Sequence, residues 1–366
     1  MNLIFSLIFL AAGQDRDPYE SRQPELREKL VERGGGSKET QAAVQKALAW
    51  LAKSQKPNGS WEAPEEDYVV GVTGLSVLAF LGAGHSPKSK EYGAPIRAAL
   101  QFLLSVQDQE GCVGARGEKY MVGHAIATAA LAEATAMSEA KAYQVPAQKA
   151  VDFLVAAQNP KRGWRYSAIS GDSDTSVTTW AVHALWCAEQ PSLNFPKAAY
   201  DGALAWLNTV TEESGRAWYV GKNYQGIPGR NEMFDAHPTP TAMSMLSRQL
   251  ITGRRKEPHL DGGVQILAKD LPRWGKTSTD YCYWYFGSLA LYKNDGPSGD
   301  AWKAWNEAMK AALLQNQIAE GENAGSWNPV DRWSCYLESR VYATAINALT
   351  LETYYRYVRF YKGQEK

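Results

Sequence analysis

The sequence predicts an all-α protein built from six helical hairpins in two concentric rings. Three observations support this fold class. A glycine recurs at intervals of 52 residues, at Gly59, Gly111, Gly163 and Gly215, and such a fixed interval is typical of a repeat architecture. Each repeat contains one amphipathic segment and one segment that is apolar nearly all round. No segment shows the alternating polarity that is typical of a β-strand.

The amphipathic segments are predicted to form the outer ring of helices. The first, TQAAVQKALAWLAKSQ, places Val44, Leu48 and Leu51 on one face, and PIRAALQFLLSVQ, PAQKAVDFLVAAQ and DGALAWLNTV repeat its apolar period. A turn containing glycine follows each of these segments, and it also contains tryptophan after the first, third and fourth. The last two repeats are less regular, and their turns read LPRWGKTST and QNQIAEGENAGSW.

The apolar segments are predicted to form the inner ring, because a helix without a polar face must be buried on all sides. They read YVVGVTGLSVLAFLGA, VGHAIATAALAEA, TSVTTWAVHALWCA, TPTAMSMLSRQL, YCYWYFGSLALY and VYATAINALTLE. Since the inner helices of successive hairpins run parallel, we expect all six N-termini to open at one end of the ring. This end is called the mouth. Polar residues precede the inner helix in every repeat, so the mouth is the predicted functional site.

The chain is predicted to hold one toroid domain over residues 41–366, after a polar lead-in at 14–40 with a short helix around 24–32. Residues 1–13 are mostly apolar or small, with one interruption at Ser6, and they are too short to span a bilayer, which is typical of a signal peptide. The sequence therefore predicts an exported protein, periplasmic or secreted, without a transmembrane segment. The alternative is a buried amino-terminal helix.

Charge and cysteine content exclude several classes of partner. Lys and Arg number 39, as do Asp and Glu, so no net field attracts nucleic acid or an anionic membrane. The four cysteines are widely spaced and contain no C-x-x-C pair, which favours neither a disulfide framework nor a zinc knuckle.

The turns QKPNGSW and QNPKRGW carry a family resemblance. They resemble the QW repeats of the squalene cyclase and protein prenyltransferase beta-subunit superfamily, over residues 41 to about 358. The resemblance implies an α/α toroid and a terpene-cyclase-like or isoprenoid-binding protein. The turn tryptophans are interpreted as structural, each indole offering its N–H to a carbonyl and fastening one hairpin to the next; they are Trp61, Trp164, Trp218 and Trp327.

The stretch GDSDTS supplies the candidate catalytic residues, Asp172 and Asp174. It resembles the Asp-rich motif of squalene-hopene cyclases, whose middle Asp protonates the polyene. Alignment on Thr175 puts Asp174 on the last Asp of that motif and Ser173 on the proton donor. Asp172 could act from one residue away, since a carboxyl beside a second carboxyl in an apolar cup has a raised pKa. The alternative is that these residues cap the third inner helix.

Aromatic side chains near the mouth are the candidate substrate-binding residues. They could line an apolar cup that holds an isoprenoid or another apolar small molecule, because ring faces stabilise carbocations. Filling of the core is the alternative interpretation. In the fifth repeat the helical period allows only Tyr281, Ser288 and one of two neighbouring aromatics to share a face. The full set, with one histidine, is Trp180, His237, Tyr281, Trp284, Tyr285, Trp333, Tyr336 and Tyr342.

The segment TDYCYWYFG contains two candidate metal ligands. Asp280 and Cys282 resemble the zinc motif of prenyltransferase beta subunits, but Ala343 stands where the third ligand is expected. A zinc site needs at least three protein ligands. We therefore predict neither a metal nor another cofactor.

Two other functions stay open from the sequence. One is an exported protein-binding module without catalysis, for which the sequence identifies no protein partner. The other is a carbohydrate-active six-hairpin toroid, whose carboxylate pair would lie on different hairpins. If the protein is an enzyme, the resemblance implies a squalene or terpene cyclase-like isomerase or lyase.

Overall fold

A computed structural model describes residues 19–138, 140–221, 237–331 and 338–357. Apart from a short 3-10 helix at Glu20–Arg22, the regular elements of these residues are α-helices, and none of them forms a β-strand. The outer helices are α2 (Lys38–Ser54), α4 (Gly93–Ser105), α6 (Lys141–Ala156), α8 (Ala198–Val210), α10 (Pro258–Leu267) and α12 (Asp300–Leu314). The inner helices are α3 (Glu66–Gly82), α5 (Tyr120–Ser138), α7 (Thr175–Ala188), α9 (Thr239–Thr252), α11 (Tyr281–Asp295) and α13 (Arg340–Leu351). Helix α1 (Pro24–Gly34) precedes the hairpins, and α14 (Thr353–Arg356) follows them.

The inner helices form a closed ring. Each packs against the next in chain order from α3 to α13, and α13 then packs against α3. Nearly every residue of α3, α5 and α9 is buried, whereas the outer helices bury one face. The predicted all-α toroid of six hairpins in two rings is therefore confirmed.

The repeated turns join the hairpins through glutamine rather than through tryptophan. The indole N–H of Trp61 donates to the carbonyl of Leu51 in the outer helix of its own hairpin, at 2.8 Å. Gln55 instead donates from its side chain to Pro95 in the next outer helix, at 2.9 Å. The prediction that each indole fastens one hairpin to the next was wrong in this respect. The side chain of Gln317 donates to the Ala43 carbonyl of α2, at 2.8 Å, and thereby joins the last hairpin to the first.

Glycine is required where these turns approach the next outer helix. Gly59 has φ of 90° and Gly325 has φ of 92°, a left-handed conformation that other residues rarely adopt. A Cβ at Gly59 would lie 2.2 Å from the Ala98 carbonyl oxygen, and one at Gly325 would lie 2.4 Å from that of Lys46. The recurring glycine thus permits backbone contact between neighbouring hairpins.

The end of the ring opposite the mouth, at the C-termini of the inner helices, is called the closed end. There Glu133 of α5 forms ion pairs with Arg22 at 2.6 Å and with Arg356 at 3.4 Å. All three side chains are at most 2% exposed. Arg22 also donates to the carbonyls of Leu81 and Arg356. The segments before and after the hairpins therefore meet inside this end.

None of the helices in the described ranges is long and apolar enough to cross a membrane. The predicted signal peptide lies outside the described residues, so export stays a prediction.

Candidate functional site

Acidic and hydroxyl side chains cap the inner helices at the mouth. The Asp174 carboxylate accepts from the backbone N–H groups of Ser176 and Val177, at 2.7 and 3.4 Å. Asp280 accepts from the N–H of Tyr283 at 2.8 Å, and Ser339 caps α13 in the same way. These bonds satisfy N–H groups that have no partner within the helix. Asp174 is therefore the N-cap of α7.

The environment of Asp174 combines burial with hydrogen bonding. Its side chain is 4% exposed, and this burial raises the pKa of the carboxyl above its usual value, against the hydrogen bonds from Ser176 and Val177. One carboxylate oxygen receives these two backbone donors and the Ser176 hydroxyl. This oxygen therefore accepts three hydrogen bonds as part of the helix cap.

Asp172 lies at the rim of the mouth. Its side chain is 47% exposed and forms an ion pair with Arg165. Its backbone carbonyl accepts from the side chains of Asn159 and Ser170. Ser173, which aligns with the proton donor of squalene-hopene cyclases, is fully buried and accepts from Asn159 at 3.3 Å. The carboxylate at 172 is therefore placed in contact with solvent.

Two of the predicted substrate-binding aromatics pack against each other inside the ring. Trp180 of α7 stacks on Tyr285 of α11, with centroids 5.8 Å apart and planes 16° from parallel. Phe286 meets the edge of both rings. Trp180 is 5% exposed and the other two are fully buried. These rings fill the space between the two helices.

The remaining aromatics of the prediction have separate surroundings. The Tyr281 hydroxyl donates to the Asn328 carbonyl at 2.6 Å, and its ring meets that of Trp284. Tyr342 is buried, and its backbone N–H is capped by Ser339. Ser288 accepts from the Trp305 indole of α12, so it faces the outer ring. Trp333 and Tyr336 lie outside the described residues.

A polar pocket of about 290 Å³ opens at the mouth between the fourth and fifth hairpins. Residues from the N-terminal side of α9, the α10–α11 turn and the start of α11 line it. The wall combines carboxylates, a guanidinium, hydroxyls, an imidazole and two aromatic rings; its members are His237, Pro238, Asp270, Leu271, Arg273, Thr277, Ser278, Asp280, Tyr283 and Trp284. Of the predicted substrate-binding residues, the structure brings His237 and Trp284 together here.

His237 and Asp280 meet within this pocket through Thr239. The His237 Nδ1 atom lies 3.7 Å from an Asp280 carboxylate oxygen. The Thr239 hydroxyl lies 2.7 Å from that Nδ1 and donates to Asp280 at 3.0 Å. All three residues are at most 6% exposed. A titratable ring and a carboxylate are thus held together by one hydroxyl.

Sequence reasoning missed most of the pocket wall. Asp270, Arg273, Thr277 and Ser278 belong to the turn of the fifth repeat, which was interpreted only as an irregular copy of the structural turn. The irregular sequence of this turn could have indicated a site, because KDLPRWGKTSTD contains more polar and charged residues than a purely structural turn requires.

In the described ranges, no group of three or more His, Cys, Asp or Glu side chains could hold a metal ion. Cys282 is partly exposed and Ala343 is fully buried. Cys112 and Cys187 are buried free thiols, and burial raises the pKa of both. Such thiols behave as small apolar side chains.

Comparison with known proteins finds similarity to squalene and terpene cyclases. A family model described as the squalene-hopene cyclase C-terminal domain matches residues 68–237. The type II terpene cyclase MstE from Scytonema, in complex with geranylgeranyl dihydroxybenzoate, is similar with a TM-score of 0.57 and 15% identity, over 90% of this chain and 99% of that chain. No curated protein matches the chain.

Carbohydrate-active proteins share the same architecture. An inactive variant of the alpha-1,6-mannanase of Salegentibacter sp. HEL1_6, in complex with alpha-1,6-mannotriose, is similar with a TM-score of 0.61 and 10% identity, over 85% of this chain and 99% of that chain. A cellobiose 2-epimerase from Bacillus thermoamylovorans has a TM-score of 0.59 and 10% identity, over 83% and 95% of the two chains. The predicted resemblance to squalene cyclases is confirmed over residues 68–237, and the α/α toroid fold is confirmed for the described residues. At these identities the solved structures establish the fold alone.

Proposed function

We propose that the protein binds a small, hydroxyl-rich molecule of the carbohydrate class in the mouth pocket. The observation that carries this proposal is the composition of the pocket wall, in which Asp270, Asp280 and Arg273 stand beside hydroxyls and the Trp284 ring. Sugars are bound by charged and polar side chains that pair with hydroxyl groups and by an aromatic surface, and a few placed polar groups fix the orientation of a ligand.

The size of the pocket supports a small ligand. Its volume of about 290 Å³ is at the lower end of the range for small-molecule sites, roughly 300–1,000 Å³. The wall draws residues from two hairpins, so one ligand would contact both.

An isoprenoid ligand is the second candidate, which the sequence favoured. The family-model match over residues 68–237 and the cluster of Trp180, Tyr285 and Phe286 support it. Three observations weigh against cyclisation by an acid: Asp172 is half-exposed and paired with Arg165, Asp174 serves as a cap, and the three rings pack on one another. Protonation of an alkene needs a carboxyl whose proton faces a dry apolar cavity.

Calorimetric titration of the purified protein distinguishes the two candidates. The probes are alpha-1,6-mannobiose and cellobiose for the first and geranylgeraniol in detergent for the second. We expect a saccharide to bind, and Arg273→Ala to weaken it at least about tenfold, since hydrogen bonds to charged groups contribute roughly 1.5–3 kcal/mol.

Arg254→Ala is the matched control, because Arg254 is also exposed but lies outside the pocket. We expect this variant to bind the saccharide as well as the unmodified protein does. Binding of geranylgeraniol alone, or saccharide binding that Arg273→Ala leaves unchanged, would contradict the proposal.

A further inference from the structure

Hydrogen bonds link His237, Thr239 and Asp280, and their donors and acceptors bear on where the protons lie. The Thr239 backbone N–H donates to His237 Nδ1 at 3.2 Å. In a neutral ring that accepts this bond, Nδ1 carries no proton and the ring proton lies on Nε2. The Thr239 hydroxyl donates to Asp280, whose other oxygen accepts from the Tyr283 N–H.

Protonation of Nδ1 changes this arrangement in a defined way. The new Nδ1–H donates to the Thr239 hydroxyl oxygen, which lies 2.7 Å away, and the hydroxyl continues to donate to Asp280. The backbone N–H of Thr239 loses its acceptor in this state. A hydrogen bond with one ionised member is roughly twice as strong as a neutral one. The two bonds that link the charged ring to the carboxylate through the Thr239 hydroxyl therefore outweigh that loss.

Tyr219 and the charged residues of the pocket also lie near His237. The Tyr219 ring lies 5.9 Å away, and burial, followed by Asp280, raises the pKa of its phenol well above the usual value, so it stays neutral near pH 7. Asp270 and Arg273 line the same pocket with opposite charges, while Asp174 contributes to the raised pKa of Tyr219. Asp280 is the carboxylate hydrogen-bonded to the Thr239 hydroxyl that contacts the ring.

We infer that Thr239 is a positioning residue that transmits the charge of Asp280 to His237 through its hydroxyl, which makes His237 the acid–base switch of the mouth pocket. This inference deepens the proposed function, since a ligand in the pocket would meet a wall whose charge depends on the protonation of His237. It concerns the ligand-free protein, so it stands or falls separately from the identity of the ligand.

The test is an NMR titration of the histidine ring protons in the ligand-free protein between pH 5 and 8. The resonance lost in His237→Asn identifies the residue. Burial lowers the pKa of His124 to about 4 and that of His183 to about 3, so neither titrates in this range. We expect Thr239→Val, which keeps the shape and the backbone N–H, to lower the midpoint of His237 by about 1 pH unit.

Two matched variants distinguish the effect of the Thr239 hydroxyl from a general disturbance of the pocket. Thr239→Ser keeps the hydroxyl and should retain the original midpoint. Thr277→Val removes a pocket hydroxyl that does not link His237 to Asp280, so it should also retain the original midpoint. Asp280→Asn keeps an acceptor for the helix cap but removes the charge, so it should lower the midpoint as Thr239→Val does. An unchanged midpoint in either Thr239→Val or Asp280→Asn, or an equal fall in Thr277→Val, would overturn the inference.

Discussion

The two ends of the ring use charged side chains in opposite ways. At the mouth, Asp174 and Asp280 accept from backbone N–H groups at the start of inner helices. At the closed end, Arg22 and Arg27 donate to carbonyls at the end of α3. Helix N-termini carry partial positive charge and unpaired N–H groups, whereas C-termini carry the reverse. The polarity of parallel inner helices therefore explains why carboxylates cap backbone N–H groups at the mouth and why arginines bind backbone carbonyls at the closed end.

The ends also differ in access to solvent. The ion pairs of Glu133 are completely buried, whereas the mouth keeps Asp172, Asp270 and Arg273 partly or largely exposed beside a pocket. A polar group that is buried and paired holds structure, while one that borders a pocket is available to a ligand. The comparison indicates a structural role for the charges at the closed end and agrees with the proposed binding of a ligand at the mouth.

The largest predicted effect is the loss of the charge at Glu133. Glu133→Gln leaves Arg22 and Arg356 without their shared carboxylate in a buried site, and the removal of one partner of a buried pair costs about 3–5 kcal/mol. Chemical denaturation monitored by circular dichroism measures the change in the free energy of unfolding.

The control for this prediction is Glu110→Gln. Glu110 pairs with Arg116 at 2.6 Å, but its side chain is 70% exposed, and exposed pairs contribute about 0–1 kcal/mol. Equal losses in the two variants would contradict the distinction between buried and exposed pairs.

The closed end should also show a specific pH dependence through Glu352. Burial raises the pKa of this carboxyl to about 8, whereas in the unfolded chain it lies near its ordinary value of about 4.3. The protonated form is therefore favoured by folding, and its contribution to stability is present at low pH and lost as pH rises from about 4.5 to 8. Glu352→Gln mimics the protonated form.

We expect Glu352→Gln to become more stable relative to the unmodified protein as pH increases through that window, by about 1 kcal/mol or more at pH 8. Denaturation curves at pH 5 and pH 8 measure the difference. A difference that stays constant or reverses with pH would show that Glu352 is ionised throughout.

The smallest predicted effects compare the two acids at the mouth. Asp174→Ala removes the cap of α7 and should cost about 1 kcal/mol of unfolding free energy. Asp172→Ala removes a half-exposed ion pair with Arg165 and should change stability by less than about 0.5 kcal/mol. Thermal melting of both variants shows which loses more stability. A larger loss of stability in Asp172→Ala than in Asp174→Ala would refute the assignment of Asp174 as the cap.

The repeat pattern was sufficient to predict the fold, because each apolar segment has only one way to be buried in a hairpin ring. The position of Asp174 before an apolar run was also sufficient to indicate a cap. The network at Glu133 was not predicted, since Arg22 and Arg356 lie 111 and 223 residues away along the chain. A single glutamate within the apolar segment VGHAIATAALAEA was its one signal.

The aromatic residues show a second limit of sequence reasoning. Helical periodicity predicts which side chains share a face, but not whether that face meets a ligand or another ring. Trp180 and Tyr285 meet each other, whereas Trp284, one residue along, borders the pocket. Only the side-chain contacts between α7 and α11 decide between these outcomes.

The central claim is that the mouth binds a ligand while the closed end has a structural role. Hydrogen exchange measured by mass spectrometry, with and without alpha-1,6-mannobiose, tests this claim most directly. The account predicts that the saccharide slows exchange in peptides covering residues 268–281 at the mouth and leaves peptides covering residues 346–356 at the closed end unchanged. Protection confined to the closed end, or no protection at the mouth at saturating saccharide, would contradict it.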